Sequence, residues 1–314
     1  MTPAPSRVVL DCDPGHDDAM AILLAAASPA IRLEAITTVA GNQTLEKVTL
    51  NARRICSVAG IRDVPIAGGR DRPLRREPIV AGEIHGASGL DGVDWDEPTV
   101  EADPRDGVDL LVERALADER EPLTIVATGP LTNVAAALLR EPSMAEHVAR
   151  ISIMGGAIGL GNWTPSAEFN IHADPEAAET VLASGVPITL VPLEVTHRAL
   201  ATDAVLARIA ALGTPVAAMS VALMRYFADT YERVFGFAHP AVHDPCAVAA
   251  IIAPEIVTTR RVAVAIDTSD GISAGRTACD VYGTTGAEPN ADLGVDLDAD
   301  RFWDLMIEAI ATYR

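Results

Sequence analysis

The sequence predicts an α/β fold: a single domain with a mostly parallel central sheet and helices on both of its faces. Three features lead there. Short apolar runs rich in Val and Ile alternate with longer stretches of helical period. Each apolar run ends in a cluster of Gly, Asn, Asp or Pro, the residues that turn a chain after a strand. No linker, repeat or low-complexity stretch divides the 314 residues, and a 49% hydrophobic content is ample for one large core. Aromatics make up only 4%, so that core must be mainly Ala, Val, Ile and Leu. This alternation gives an open, Rossmann-like sheet whose strands are buried on both faces.

Taken in order, residues 8–10 begin the first strand, and residues 17–27 form a helix ended by Ser28 and Pro29. Residues 31–39 are a second strand, stopping at Ala40, Gly41 and Asn42. Residues 43–59 form a helix with Leu45, Val48, Ile55 and Val58 on one side, and 64–67 a short buried strand. From 70 to 106 the period vanishes among Pro73, Pro78, Pro98 and Pro104. A loop this long inside a compact domain is usually functional, so it is expected to be an active-site flap carrying His85. Order returns with helix 107–117, strand 123–127, helix 131–139 and strand 151–154. An irregular segment, 157–170, follows. Helix 175–183 and strand 188–192 lead to helices 203–212 and 215–227. Residues 234–240 are irregular, within a second mobile region expected near 226–243. His243, Asp244 and Pro245 open another helix, late strands are expected at 261–266 and near 277–282, and helix 302–312 closes the chain.

Composition narrows the partners. A net charge of −20 disfavours nucleic-acid backbones and anionic membrane surfaces, but not an uncharged nucleoside. Lys47 is the only lysine, which excludes Schiff-base chemistry elsewhere. Cys12, Cys56, Cys246 and Cys279 are scattered without metal or redox spacing and read as reduced thiols of a cytoplasmic protein. The opening MTPAPSR has no apolar core of a secretory signal, and no run is long enough to span a bilayer.

The most informative stretch is VVLDCDPGHDD, residues 8–18. Asp11, Asp13, Asp17 and Asp18 fall within eight residues, where a strand ends and a helix begins. Grouped at the end of a buried strand, they would repel one another, and a hard, oxygen-loving cation, Ca²⁺ or Mg²⁺, is the simplest remedy. Helix capping explains Asp17 and Asp18 alone. In open parallel sheets ligands bind beyond the carboxyl ends of the strands. Asn42, Thr128, the Asn162, Glu168 and Asn170 group, and the His243–Asp244 pair join the four acids on that criterion. Asn42 and Thr128 would otherwise be turn or cap residues, and His243 with Asp244 an N-cap pair. His16 either adds a charge beside the ion or points to solvent. Tyr226, Phe227 and Tyr231 either stack on a ligand or pack the core.

DCDPGHDD resembles the signature of the nucleoside N-ribohydrolases. The likeness continues through ITTVAGNQTLEKVTLNA, IHGASGLDG, ATGPLTN, MGGA with AEFNIHADPEAA, and HDP, six blocks in the same order across most of the chain. It is nearest to the inosine–uridine-preferring group. The resemblance implies a nucleoside hydrolase-like fold over residues 1–314 and Ca²⁺-dependent hydrolysis of ribonucleosides to ribose and a free purine or pyrimidine base. It implies Ca²⁺ held by Asp13, Asp18, Asp244 and the Thr128 carbonyl, with Asp13 also the base for the attacking water. Asp17, Asn42, Asn162, Glu168 and Asn170 would hold the sugar, and Asp11 would support the metal ligands from behind. His243 would act as acid near the leaving base, with His85 closing over it from the flap and Tyr231 on a segment approaching the same base. A homodimer or homotetramer is expected from the same resemblance.

Two other classes compete. A haloacid-dehalogenase-type phosphatase using Mg²⁺ also begins with DxD after its first strand, but needs a lysine near phosphate, and Lys47 lies mid-helix. A non-enzymatic nucleoside- or sugar-binding protein would use the same polar residues without turnover.

Overall fold

The computed structural model describes residues 4–118 and 120–314. The first three residues of the MTPAPSR stretch therefore lie outside the described part. Nine strands form one sheet: β1 Ser6–Cys12, β2 Ile31–Thr38, β3 Ile66–Gly68, β4 Leu123–Ala127, β5 Val148–Met154, β6 Ile188–Val191, β7 Val257–Ile266, β8 Thr277–Asp280 and β9 Ala291–Leu297. Their spatial order is β3-β2-β1-β4-β5-β6-β9-β7-β8. Every pairing from β3 to β9 is parallel, and β7 joins β9 and β8 antiparallel.

The chain runs from β1 outward to β3, then returns to place β4 on the other side of β1. Such a reversal leaves a crevice at the carboxyl ends of the two strands. In register, Asp11 of β1 pairs with Ala127 of β4, so the chain leaves both strands side by side at that crevice, at Asp13 and Thr128. Strand alternation sorts the first motif. Val8, Leu10 and Cys12 enter the core on one face of the sheet and Val9 enters the other, the face that alternation also gives to Asp11.

The His16–Ala27 helix explains why AMAILLAAA is apolar all round. Every residue from His16 to Ala25 is buried, because four other helices cover what the sheet does not: Leu45–Ala59, Pro215–Phe235, Pro245–Ile252 and Ala299–Ala311. Each fully buried Leu or Ile here contributes about 1.5–3 kcal/mol. The opposite face is packed by Gly107–Leu116, Thr132–Arg140 and Pro175–Leu182. Helices thus cover both faces, as the alternation predicts.

Several boundaries differ from expectation. The helix expected at 215–227 runs Pro215–Phe235, started by Thr214 Oγ1 accepting from Ala217 N–H and ended by Gly236 at φ 70°. Its apolar face continues through Thr230 and Tyr231, while Asp229, Glu232 and Arg233 face outward. Residues 226–235 are therefore helical, and only 236–243 are irregular apart from one bridge. The irregular 157–170 segment ends in a short helix, Phe169–Ala173. Strand β9 was not expected, because Asp292, Gly294 and Asp296 interrupt its apolar pattern. The 70–106 segment carries a single helical turn, Gly82–His85. Among the described residues no helix is long and apolar enough to cross a membrane.

Candidate active site

The four acids of the first motif are all buried, and they divide by their partners. Asp11 accepts hydrogen bonds through Oδ1 from the Thr37 hydroxyl at 2.6 Å and from Asn133 Nδ2 at 2.8 Å. It ties β1 to β2 and to the Thr132–Arg140 helix, while its Oδ2 has no partner. Asp13 accepts from Asn42 N–H through Oδ2 at 2.7 Å, and its Oδ1 is also unpartnered. Gly41 and Gly129 press close around it; a Cβ on Gly129 would stand 2.8 Å from Asp13 Oδ1. Asp18 accepts from Gly15 N–H at 2.9 Å, from Asn42 Nδ2 at 3.2 Å and from the Thr128 hydroxyl at 2.9 Å. Asp17 accepts from the His243 backbone N–H at 3.2 Å.

Asp17, Asp18 and Asp244 offer carboxylate oxygens that all lie within 4.8 Å of one another. Asp13 is not in this triple, whereas Asp17, assigned to the sugar from sequence, is. Burial and mutual repulsion push these groups upward. Asp17 rises to about 7, first from burial and then from Asp18. Asp13 and Asp244 go well above the usual carboxylate range, by burial first and like charge second. A crowd of buried oxygens that cannot all ionise unaided fits a hard divalent cation.

Around this floor stand the amides and Glu168. Asn170 Nδ2 donates to the Thr128 carbonyl at 2.8 Å, and the Asn162 carbonyl group accepts from Phe169 N–H at 2.9 Å. Glu168 caps the Phe169–Ala173 helix, accepting from the N–H groups of Gly156, Asn170 and Ile171. Burial raises it to about 7 despite those bonds.

His16, His85 and His243 are buried, and burial lowers all three. His243 falls to about 3 through burial, with His197 adding to it. Its Nδ1 meets the Thr196 hydroxyl at 2.7 Å and its Nε2 meets the Tyr231 hydroxyl. The Thr196 hydroxyl also reaches the Leu193 carbonyl at 3.4 Å, and the nitrogen of His243 that carries the proton sets the direction of both ring contacts. His85, at the end of the Gly82–His85 turn, is pushed well down by burial and by His16. His16 neither points to solvent nor carries a charge: it is fully buried and lowered to about 4 by burial. Phe227 packs in the core against His16 and His85, while Tyr231 reaches the cavity. His172 and His197 serve structure: His172 Nδ1 meets the Ala274 carbonyl, and His197 packs edge-on against Phe237.

One cavity gathers ten of the expected residues. Asp17, Asn42, His85, Thr128, Asn162, Glu168, Asn170, Tyr231, His243 and Asp244 all line it. Asp11, Asp13 and Asp18 do not; they lie behind it. Met154, Trp163, Phe169 and Phe235 also line the wall. None of these four carries a polar signal that marks it in sequence.

The family model for inosine-uridine preferring nucleoside hydrolases matches residues 8–304. This chain belongs to that family. The hydrolase is 45% identical over 307 residues to the pyrimidine-specific ribonucleoside hydrolase RihA of Enterobacter sp. (strain 638), covering 98% of each chain. Its fold is similar to a plant nucleoside hydrolase, PpNRh1, with a TM-score of 0.90, 32% identity and coverage of 98% of this chain and 99% of that one. A purine-preferring ribonucleoside hydrolase from Gardnerella vaginalis also superposes at 0.90, with 30% identity over 98% of each chain. The phosphatase reading falls with this assignment. Lys47 of the hydrolase donates to the Ala87 carbonyl at 2.7 Å and to Gln43 Oε1, away from the carboxylates.

Proposed function

We propose that this hydrolase cleaves the N-glycosidic bond of pyrimidine ribonucleosides with the help of Ca²⁺. The supporting observation is the cavity itself, where Asp17 and Asp244, with Asp18 converging on them from behind, face a wall of amides suited to sugar hydroxyls. The pyrimidine preference follows the name of the relative at 45% identity. Asp18, Asp244 and the Thr128 carbonyl would hold the ion, with Asp13 and Asp17 flanking it. A bound Ca²⁺ would supply Lewis acidity to the attacking water and an anchor for two sugar hydroxyls.

The chain's own groups do the rest. Asp13, with an unpartnered oxygen and a raised proton affinity, takes the proton of the attacking water. Asp17, Asn42, Asn162, Glu168 and Asn170 orient the ribose, and the acids among them stabilise the positive charge that grows on its ring. The Tyr231 hydroxyl gives its proton to the departing base and takes one from His243 Nε2 in its place. Residues 70–106 act as the flap that brings His85 over the site, within one domain spanning residues 1–314. All four cysteines are free, in keeping with a cytoplasmic setting, and a homodimer or homotetramer is the assembly that sedimentation should find.

The test is a panel of uridine, cytidine, inosine, adenosine and guanosine assayed for reducing sugar, before and after chelation and with Ca²⁺ restored. Uridine and cytidine should lead, and activity should return with Ca²⁺. No sugar released from any of them by metal-replete protein would sink the proposal, and tight binding of intact nucleoside would leave a binding protein in its place.

A further inference from the structure

Asn133 lies outside the cavity, in the first turn of the Thr132–Arg140 helix, and is fully buried. Its amide makes three hydrogen bonds. Nδ2 donates to Asp11 Oδ1 at 2.8 Å and to the Thr38 carbonyl at 3.0 Å, and Oδ1 accepts from Arg70 N–H at 2.7 Å. Two backbone groups fix which way round the amide stands. A carbonyl only accepts and an N–H only donates, so the NH₂ group faces Thr38 and the oxygen faces Arg70. Asp11 therefore receives an N–H whatever its own protonation.

The three partners stand where three stretches of chain leave the sheet. Asp11 is next to the last residue of β1, and Asp13 follows two residues on. Thr38 ends β2, four residues before Asn42. Arg70 begins the irregular 70–106 segment after β3. The Val39 N–H still donates to the Cys12 carbonyl at 3.0 Å, and beyond that bond Asp13 and Asn42 have left the ladder. Asn42 N–H nevertheless holds Asp13 Oδ2 at 2.7 Å. The Asp13 carboxylate thus hangs between two strand ends, and one amide ties both ends to a single helix.

The surroundings are shaped to that amide. A Cβ on Gly69 would stand 2.3 Å from Asn133 Oδ1, so the chain passes there only as glycine. Gly69 N–H supplies the second donor to the Thr38 carbonyl, at 2.8 Å. Thr132, the neighbour in the same turn, acts elsewhere. Its hydroxyl donates to Asp174 Oδ2, which also accepts from Leu74 N–H.

We propose that Asn133 is a positioning residue: by clamping the ends of β1 and β2 it fixes where Asp13 stands among the carboxylates gathered for a cation. It touches neither substrate nor ion. A base displaced by a fraction of an ångström loses much of its effect, so the clamp acts on the rate. This inference rests on the reading of the site as a cation-assisted nucleoside hydrolase.

Three variants of the full-length protein separate positioning from packing. N133D keeps the shape and can still accept from Arg70 N–H, but sets an oxygen against Asp11 and the Thr38 carbonyl. N133A removes all three bonds. T132V removes a buried hydrogen bond of the same helix turn and touches neither strand end. Calorimetric titration with Ca²⁺ and steady-state kinetics with uridine are read beside a thermal melt. Both Asn133 variants should weaken Ca²⁺ binding about three- to tenfold, the worth of one hydrogen bond. Both should lower kcat about tenfold or more, with KM little changed. N133D should be the worse of the two, although it alters the shape less. T132V should lower the melting temperature and leave Ca²⁺ affinity and kcat as they are. Unchanged affinity and kcat in N133A, equal losses in T132V, or N133D milder than N133A would each overturn the proposal. N133A and T132V decide if N133D does not fold. A wild type that binds no Ca²⁺ and releases no sugar would instead overturn the functional reading, and this inference with it.

Discussion

Asp13 and His243 show what a single side chain decides here. Asp13 is nearly enclosed by backbone, with one oxygen bound to Asn42 N–H and the other unpartnered. Asp13→Asn keeps the shape and removes the base. Its kcat should fall by about 10²–10⁴-fold, as for loss of a general base, while the fold persists. A reducing-sugar assay beside a thermal melt checks both, and near-normal turnover would remove Asp13 from the chemistry. His243→Ala leaves the Tyr231 hydroxyl without its hydrogen-bond partner. Uridine hydrolysis should suffer more than that of p-nitrophenyl riboside, whose leaving group needs no proton; equal losses would make His243 an orienting residue only. At this scale the sequence was informative because the chemistry demands particular residue types at strand ends. It said little about partners. Thr196, Tyr231 and His243 form one chain of hydrogen bonds from three separate elements. Glu168 was legible as a polar group, but not as the cap that orders the wall beside it.

The 70–106 segment, proposed as the flap, is held by another element. Gln43 Nε2, Lys47 Nζ and Asn51 Nδ2 donate to the carbonyls of Gly86, Ala87 and Ser88 at 3.0, 2.7 and 2.9 Å. Residues four apart share a helix face, so one edge of the Leu45–Ala59 helix and its lead-in grips three successive carbonyls just after His85. Lys47→Met removes the middle grip. The freed Ala87 carbonyl is exposed and can bind water, so stability should change by no more than about 0.5–1.5 kcal/mol. Looser positioning of His85 should raise KM for uridine several-fold, read from steady-state kinetics with a melt as control; an unchanged KM would leave the flap to Gln43 and Asn51. The helix itself was plain from its apolar period. The grip was not, because backbone carbonyls of an irregular segment carry no sequence signal. Strand β9 was hidden for a related reason. It is recruited by pairing with β6 and β7, a tertiary effect that overrides a pattern broken by Asp292, Gly294 and Asp296.

The whole molecule concentrates acids where its sheet reverses direction, and that sets how stability depends on pH and on a cation. Asp17 and Glu168 are raised to about 7 in the folded chain, mainly by burial, from ordinary values of 3.8 and 4.5. Between those limits the folded state holds protons that the unfolded state has released. Stability of the metal-free protein must then fall as pH rises through that window. Asp13 and Asp244, raised further still, extend the decline upward. The paired Glu34 runs the other way: its bond to Arg7 lowers it, so its contribution is present above the unfolded value and lost only in acid. A divalent cation among the carboxylates offsets their repulsion once they ionise, and one bound at a hundred times its Kd adds about 2.7 kcal/mol. The chelated protein should therefore lose melting temperature from about pH 5 to about pH 8. Added Ca²⁺ should restore it at the higher pH and do little at the lower, where the site is still protonated. Differential scanning fluorimetry across that range, with and without Ca²⁺, reads both effects. A melting temperature that ignores pH, or a Ca²⁺ increment equal at both ends, would separate the buried acids from any cation site.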